Sequence, residues 1–389
     1  MPAIPLPSCE NASAPELSIV VMFTHAPDLA RACLESISAS IDELPRSETI
    51  LVLNAVSPEV RDLIENGTSG ARIIESPVNT GTAVAWQLGF TAARGEYVLL
   101  MHEDAELIPG VAAGLLSTLQ AEPTAAVVGP WLEEFGDQRS DINAGWLRFS
   151  DGGLRLTSDQ IPGRLATAPY AVHEVSSAIS LWRREAWEAI GGFEERTFPA
   201  ISVEADSFAG IWARGRSVLV DPRVCGRHQT GSMNSAPTLL SGPHIRHFLG
   251  SRFERLWEAK WSPVLSSIGP SEPPETVLDR LQRQRSELPT IDDPPRSLQP
   301  ITNPEGRSPA PTEIDAGIEE RLAATERAVI DEYTRWLIDR DIEMTARYEE
   351  AMAAYREESK KSAALRAEIA GRPRWRSMLR RLWPKRPAR

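Results

Sequence analysis

The sequence predicts an α/β fold in which a mostly parallel sheet carries helices on both faces, followed by a C-terminal helical extension. Two observations predict it. Short apolar runs alternate with segments of helical spacing between Leu17 and Gly129, which is typical of βα units and a parallel sheet. Further along, residues 313–371 contain no proline and place apolar residues every three or four positions. That spacing predicts one or two long amphipathic helices.

Each element of the sheet region has its own local signal. Pro27 and Pro58 stand at the beginnings of two helices, where proline is tolerated. Gly191 and Gly215 end two later helices, because glycine readily adopts the left-handed conformation that closes a helix. The predicted strands are Leu17–Phe23, Thr49–Leu53, Ala71–Glu75, Tyr97–Met101, Ala125–Gly129, Glu174–Trp182 and Arg216–Val220, and the predicted helices are Pro27–Ile41, Ser57–Asn66, Thr82–Ala93, Pro109–Ala121, Arg184–Ile190 and Ala205–Arg214.

Composition is that of a soluble globular protein. The formal charge of −12 argues against general binding to nucleic acid. The sequence has no apolar run of 18 residues, so no membrane span is expected, and the first 16 residues lack the basic start and apolar centre of a secretory signal. Cys9, Cys33 and Cys225 have no paired spacing. These features predict a cytoplasmic protein with reduced thiols.

The chain divides by composition into five sections. An N-terminal arm, residues 1–16, precedes an α/β domain predicted for residues 17–261. Recurrent prolines predict a linker over residues 262–312. The helical region 313–371 needs a cover for its apolar stripe, supplied by its own domain or by a second copy of the chain. Residues 372–389 carry eight Lys and Arg with interleaved Trp and no acid. A peripheral membrane contact and a solvated basic tail both fit that tail.

An acidic segment follows the fourth predicted strand. His102, Glu103, Asp104 and Glu106 come directly after the apolar run that ends at Met101. A buried strand delivers such side chains to the edge of a sheet, where carboxylates commonly hold a divalent cation. A solvated acidic turn after a strand gives the same pattern.

Seven segments, in order, carry a resemblance to a known family. The sequence is similar to inverting glycosyltransferases of family 2 with the GT-A (Rossmann-like) fold, on the side that includes rhamnosyl- and galactofuranosyltransferases. The resemblance covers roughly residues 17–232. The segments are Ser18–Thr24, Cys33–Ile37, Asn79–Gly81, Ala92–Leu100, Trp182–Ala186, Gly191–Glu195 and Arg214–Val218.

The resemblance implies metal ligands. Asp104 falls where the family has the last acid of its Asp-x-Asp motif, and His228 matches a histidine that follows the last core strand in many relatives. Together they imply a site for Mg²⁺ or Mn²⁺. His102 replaces the first acid of the motif, which removes an oxygen ligand, and Glu103 and Glu106 are candidates to compensate.

The resemblance also implies a general base that accepts the proton of the acceptor hydroxyl. Counting back from Gly215 by the family's spacing gives Glu204, and Asp206 is the alternative. Val203 stands where the family has another acid, so the register is open by one or two positions. An acid that merely stabilises the beginning of a helix is the structural alternative for both residues.

Further positions match the family's donor site. Thr24 ends the first strand beside the expected base pocket, Asn79 and Gly81 match a loop that lines the donor site, and His102 is expected near the diphosphate. Two positions depart from the pattern. Asn54 replaces the acid that touches the nucleobase, and Trp86-Gln87 replace the Arg or Asn that faces the diphosphate.

Two functions remain open at this point. The first is a cytoplasmic glycosyltransferase, acting with a divalent metal on a nucleotide-sugar donor and a glycan or lipid-linked acceptor at the inner membrane face. The second is a lapsed glycosyltransferase that serves as a scaffold through its C-terminal helix. The altered positions Asn54, His102 and Trp86-Gln87 favour the second. Retention of Asp104, Glu204, Asp206 and His228 favours the first.

Overall fold

The computed structural model describes most of the α/β region. The described residues are 3–9, 14–76, 81–134, 145–148, 154–156, 168–194 and 203–229, with Trp257, Trp261, Arg335, Glu357, Lys360 and Lys361 as single positions. The chain forms two compact units, Met1–Thr325 and Glu326–Arg389. The sheet and the candidate site belong to the first unit.

The described helices and strands follow the predicted alternation. The helices are α1 (Pro27–Ala39), α2 (Pro58–Gly67), α3 (Gly81–Ala92), α4 (Val111–Ala121), α5 (Arg184–Ile190) and α6 (Val203–Trp212). The strands are β1 (Ile4–Pro5), β2 (Leu17–Phe23), β3 (Ser47–Asn54), β4 (Thr68–Ser69), β5 (Arg72–Ser76), β6 (Tyr97–His102), β7 (Ala105–Glu106), β8 (Ala125–Glu134), β9 (Trp146–Arg148), β10 (Leu154–Leu156), β11 (Tyr170–Val172), β12 (Ile179–Arg183) and β13 (Ser217–His228).

The main sheet confirms the α/β prediction and adds the antiparallel strands β7, β11 and β12 to it. Its order is β11-β13-β8-β12-β6-β2-β3-β5, with β7 paired to β13. The strands β5, β3, β2 and β6 are parallel neighbours. Strand β12 runs antiparallel between β6 and β8, and β13 runs parallel to β8. The strands β2, β3, β6, β8 and β13 therefore all end at one edge of the sheet.

Two strands, β8 and β13, run well past their predicted carboxyl ends, and β12 begins later than predicted. Strand β13 continues from Val220 to His228 through a register irregularity between Asp221 and Cys225. The prediction stopped at the Asp221-Pro222 pair, because proline normally ends a strand unless a bulge accommodates it. Strand β8 likewise runs on past Gly129 to Glu134, while β12 begins at Ile179.

The core lies between the sheet and the helices on its two faces. All seven residues of β2 are buried, as expected for a central strand covered on both sides. Helix α3 packs closely on this strand at Gly89, where a Cβ atom would stand 2.3 Å from Val20 Cγ1. A glycine in mid-helix thus sets the distance between α3 and the sheet.

A buried carboxylate joins the strands at the opposite edge from the candidate site. Glu48 on β3 accepts hydrogen bonds from Ser18 Oγ at 2.8 Å, from Arg94 Nη2 at 2.7 Å and from Arg72 Nη1 at 3.0 Å. Burial alone would raise the pKa of Glu48, but its hydrogen bonds from Arg94 and Ser18 and the charge of Arg72 together outweigh that effect and lower the pKa. The charged form is therefore the stable one in the folded protein.

Replacing Glu48 with glutamine is expected to lower the free energy of unfolding by about 2–3 kcal/mol. Removal of one partner from a buried ion pair costs about 3–5 kcal/mol. The smaller value is expected here because the Arg72 and Arg94 side chains are 29% and 36% exposed. Urea denaturation measures the change. The matched variant Glu65→Gln, which alters a surface pair with Arg61, should cost less than about 0.5 kcal/mol. Equal losses in the two variants would contradict this account of Glu48.

The predicted linker 262–312, the long helical region 313–371 and the basic tail 372–389 lie outside the described residues, apart from the four single positions between 335 and 361. Their structures and partners stay predictions. In the described part of the chain, no helix combines the length and apolar character needed to cross a membrane.

Candidate active site

Three side chains from two distant segments of the sequence meet at the carboxyl edge of the sheet. His102 ends β6, Asp104 lies in the turn that follows, and His228 ends β13. The short strand β7 pairs with β13 and places Ala105 opposite His228. A hydrogen bond from Gln229 N to Asp104 O, 2.9 Å long, closes this pairing. The backbone therefore holds the two segments in one register.

The geometry of this His–Asp–His cluster suits a divalent cation. Asp104 Oδ1 lies 3.3 Å from His228 Nε2 and 3.7 Å from His102 Nδ1. The candidate ligand atoms of the three residues all lie within 4.8 Å of one another. Ligands about 2.1 Å from a shared ion stand about 3.0–3.5 Å apart, so a modest approach of the three side chains would bring all of them within reach of one ion.

The electrostatics of the cluster favour a neutral histidine. Burial lowers the pKa of His102 to about 4, and the nearby His228 adds to this, while Asp104 opposes it. A neutral imidazole is the form that binds metals. His102 Nε2 is buried without a hydrogen-bond partner among the described residues. The residues present thus fit a cation, which the neutral imidazole of His102 and the carboxylate of Asp104 would bind together with His228.

Trp86 lies against the cluster. Its indole stacks on the His102 ring, with centroids 5.5 Å apart and planes inclined by 27°. Trp86 is 1% exposed and also contacts Phe193. The sequence resemblance implied that this tryptophan replaces a residue that faces the donor diphosphate in relatives. The structure places it in the core and in contact with a candidate ligand.

Glu103 points away from the cluster and fastens the end of β2. Its carboxylate accepts the backbone N–H of Thr24 at 3.0 Å and also the Thr24 hydroxyl. Burial raises the pKa of Glu103 to about 7, although its hydrogen bonds to Thr24 and His25 lower it. Glu103 and Asp104 lie in the turn between β6 and β7, and the backbone of this turn directs Glu103 towards Thr24.

The two expected replacements for the lost oxygen ligand are therefore absent from the cluster. Glu103 is turned towards Thr24, and Glu106 lies 3.6 Å from Arg227 Nη1 across the β7–β13 pairing. Sequence reasoning missed the structural role of Glu103. The change from apolar to acidic residues after Met101 does not indicate which of the acidic side chains point into the cluster.

Glu204 lies in the first turn of α6, near the same edge. Its carboxylate accepts a hydrogen bond from Ser177 Oγ at 3.3 Å. The next residue, Ala178, accepts the backbone N–H of His102 at 3.1 Å. Burial raises the pKa of Glu204 to about 7, and the neighbouring Glu174 adds to the effect. A carboxylate with a pKa near neutrality is suited to accept a proton.

Asp206, the alternative base, is turned into the protein. It is 2% exposed and accepts a hydrogen bond from Trp261 Nε1 at 2.8 Å. This contact joins α6 to a tryptophan 55 residues further along the chain. The geometry therefore favours Glu204 over Asp206 as the group that meets a substrate.

The predicted donor-site residues divide into those near the edge and those used within the fold. Thr24 and Asn54 both stand at strand ends on this edge, and Asn54 Nδ2 donates to Gly81 O at 3.4 Å. Gly81 begins α3 with a positive φ of 76°. Gln87 Oε1 accepts the backbone N–H of Phe193 at 3.0 Å, so this side chain supports the loop after α5. Asn79 lies outside the described residues.

Comparison with known proteins decides the family. A sequence model of Glycosyl transferase family 2 matches residues 18–191. Residues 18–191 therefore match the sequence pattern of a family 2 glycosyltransferase domain. The match contains His102 and Asp104 and ends before Glu204 and His228. The resemblance inferred from sequence motifs is thus confirmed.

Three proteins are similar to this chain over longer stretches. The O-antigen biosynthesis protein RfbC of Myxococcus xanthus is 26% identical over 253 residues, which are 62% of this chain and 19% of that protein. The crystal structure of GalNAc-T7 with UDP, GalNAc and Mn²⁺ is 15% identical with a TM-score of 0.46, over 72% of this chain and 56% of the other. The mannosyltransferase PcManGT from Pyrobaculum calidifontis in complex with GDP-Man and Mn²⁺ is 16% identical with a TM-score of 0.45, over 86% and 85%. The chain thus spans about a fifth of the length of RfbC.

Proposed function

We propose that this protein is an inverting glycosyltransferase that moves a sugar from a nucleotide diphosphate sugar to an acceptor hydroxyl. One observation carries the proposal. The His–Asp–His cluster and a carboxylate with a raised pKa, Glu204, lie at the same edge of a sheet in a family 2 domain. The reaction needs one group to neutralise the leaving diphosphate and another to accept a proton.

Different elements of the fold would neutralise the leaving diphosphate and accept the proton. Asp104, His102 and His228 would hold a divalent cation, and that cation would neutralise the charge that develops on the departing diphosphate. Glu204 would accept the proton of the acceptor hydroxyl. The hydrogen bond from Ser177 Oγ holds one of its carboxylate oxygens in place. A base on α6, separate from the metal ligands, supports direct displacement with inversion.

We place the acceptor among cell-surface glycans or their lipid-linked precursors. The name of the Myxococcus relative, an O-antigen biosynthesis protein, supports this choice. The basic tail with its tryptophans would bring the protein to the inner face of the cell membrane by attraction to anionic lipids. The long helical region would cover its apolar stripe within its own domain or with a second copy.

One observation favours the scaffold alternative. Asn54 donates to Gly81, Gln87 accepts from Phe193, and Asp206 accepts from Trp261. Each of these predicted site residues has a structural use that does not require a substrate. The proposal depends on the cluster and on Glu204, which are not explained by packing alone.

A panel of nucleotide sugars separates the two functions. The full chain is mixed with Mn²⁺ and UDP-, dTDP- or GDP-sugars, and its Tm and the release of nucleotide diphosphate are measured. We expect one nucleotide class to raise the Tm, since a ligand at about 100 times its Kd stabilises by about 2.7 kcal/mol, and to be slowly hydrolysed. If no nucleotide shifts the Tm with or without the cation, the scaffold function replaces the enzymatic one.

A further inference from the structure

Two departures from the family pattern occupy one place in the fold. Trp86 comes from α3 and His102 from the end of β6, yet their rings stack at 5.5 Å. Considered separately, each change removes a group that would meet the donor diphosphate. Together they form a single unit, in which an indole supports an imidazole beside Asp104.

The cluster has an unusual balance of donors for a site expected to take Mg²⁺. It offers two imidazole rings and one carboxylate, and the two nearby glutamates, Glu103 and Glu106, have other contacts. Mg²⁺ is a hard ion that prefers oxygen ligands and water. Imidazole nitrogen raises affinity for first-row transition metals in the order Mn²⁺, Co²⁺ and beyond.

The surroundings of His102 restrict its ring orientation. Trp86 covers one side of it and is itself held by Phe193, with centroids 5.5 Å apart. The His102 side chain is 17% exposed. A ring held in this way is already in position for a ligand, so little conformational entropy is lost when a metal binds.

We propose that His102, supported by Trp86, makes this site selective for transition metal ions over Mg²⁺, and that Trp86 is a positioning residue for it. The inference rests on the proposed function for the role of the ion at the donor diphosphate. Ion binding itself is independent of the donor and is measured without it.

Calorimetry of the full chain with Mg²⁺, Mn²⁺, Co²⁺ or Zn²⁺ tests the proposal. We expect the Kd for Co²⁺ and Zn²⁺ to be at least about 100-fold below that for Mg²⁺, with Mn²⁺ between them. His102→Asp should reduce the ratio between Co²⁺ and Mg²⁺ by at least about tenfold. Binding of Co²⁺ should produce visible d–d absorption bands that change in shape in this variant. Equal affinities for Mg²⁺ and Co²⁺, or no binding of any of the four, would overturn the proposal.

Variants of Trp86 test the positioning role. Trp86→Leu should weaken Co²⁺ binding about tenfold, as the loss of a supporting contact to a ligand commonly does, and Trp86→Phe should retain most of the affinity because a ring remains. The control His173→Asn removes an imidazole that packs on Trp212 and should leave metal affinity unchanged. Near-ultraviolet circular dichroism identifies any variant that fails to fold. Unchanged Co²⁺ affinity in a folded Trp86→Leu protein would remove Trp86 from the proposal.

Turnover of the donor is measured separately on the same samples. Selective ion binding without turnover of any nucleotide sugar would leave this inference standing and reject the proposed function. If Mg²⁺ and Co²⁺ bind with equal affinities and support turnover equally, this inference is rejected and the proposed function stands.

Discussion

Replacing Asp104 with asparagine is expected to abolish cation binding and to lower kcat/KM for sugar transfer by about a thousandfold or more. Asp104 supplies the only carboxylate of the cluster, and its Oδ1 lies within 4 Å of a nitrogen of both histidines. Asparagine keeps the shape of the side chain and removes the charge. A thousandfold loss corresponds to about 4 kcal/mol, within the several kcal/mol that a bound metal contributes to stabilising developing charge.

The control for this change is Asp62→Asn on α2. Asp62 accepts a hydrogen bond from Asn66 on an exposed helix surface, so its replacement should leave turnover and cation affinity unchanged. Initial rates with the donor found in the nucleotide-sugar panel measure the effect. An Asp104→Asn protein that retains more than about a tenth of the activity would show that the cluster does not hold the diphosphate.

Replacing Glu204 with glutamine is expected to lower kcat/KM by about 10²–10⁴-fold, the usual contribution of a general base. The wild-type rate should also depend on pH. Because the pKa of Glu204 is raised to about 7, the base is protonated and inactive below that value. The rate should therefore rise about tenfold per pH unit up to pH 7 and level off above it. In Glu204→Gln this rising limb should disappear.

Two further variants assign the pH dependence. Asp206→Asn keeps an oxygen that can accept the Trp261 indole N–H, so it should affect activity far less than Glu204→Gln. Glu35→Gln alters an exposed residue of α1 and should leave the profile unchanged. If Asp206→Asn loses activity and Glu204→Gln retains both its rate and its rising limb, the base is Asp206 and the preferred register is wrong.

The raised pKa also affects stability. In the folded protein Glu204 retains its proton up to about pH 7, whereas the pKa of an ordinary glutamic acid side chain is 4.5. The free energy of unfolding should therefore fall as the pH rises through this window, because the folded state binds more protons there than the unfolded state. Glutamine at position 204 should weaken this dependence.

The parallel half of the sheet was predictable because its signals are local. Apolar runs such as Leu17–Phe23 and proline at helix starts depend on a few neighbouring residues, and the structure confirms them. The antiparallel insertion of β12 between β6 and β8 was not predictable, because strand pairing depends on segments that are distant in the sequence. The extension of β13 beyond Pro222 required a bulge that the sequence does not announce.

The candidate site, like the sheet, could be predicted only in part. Motif spacing selected Asp104, Glu204 and His228, and the structure brings Asp104 and His228 to within 3.3 Å. Motif spacing could not reveal that Glu103 turns towards Thr24, since the direction of one side chain in a turn depends on the backbone. Nor could it reveal that Trp86 stacks on His102, because the two belong to elements that meet only in the folded protein.

Anomalous diffraction from a crystal grown with Mn²⁺ and the nucleotide diphosphate of the preferred donor tests the central claim most directly. The account predicts one strong peak within about 2.0–2.3 Å of Asp104 and of both His102 and His228, with the diphosphate oxygens on its open side and Glu204 facing the acceptor space. A nucleotide bound with no peak between these three residues, or a peak elsewhere on the chain, would contradict it.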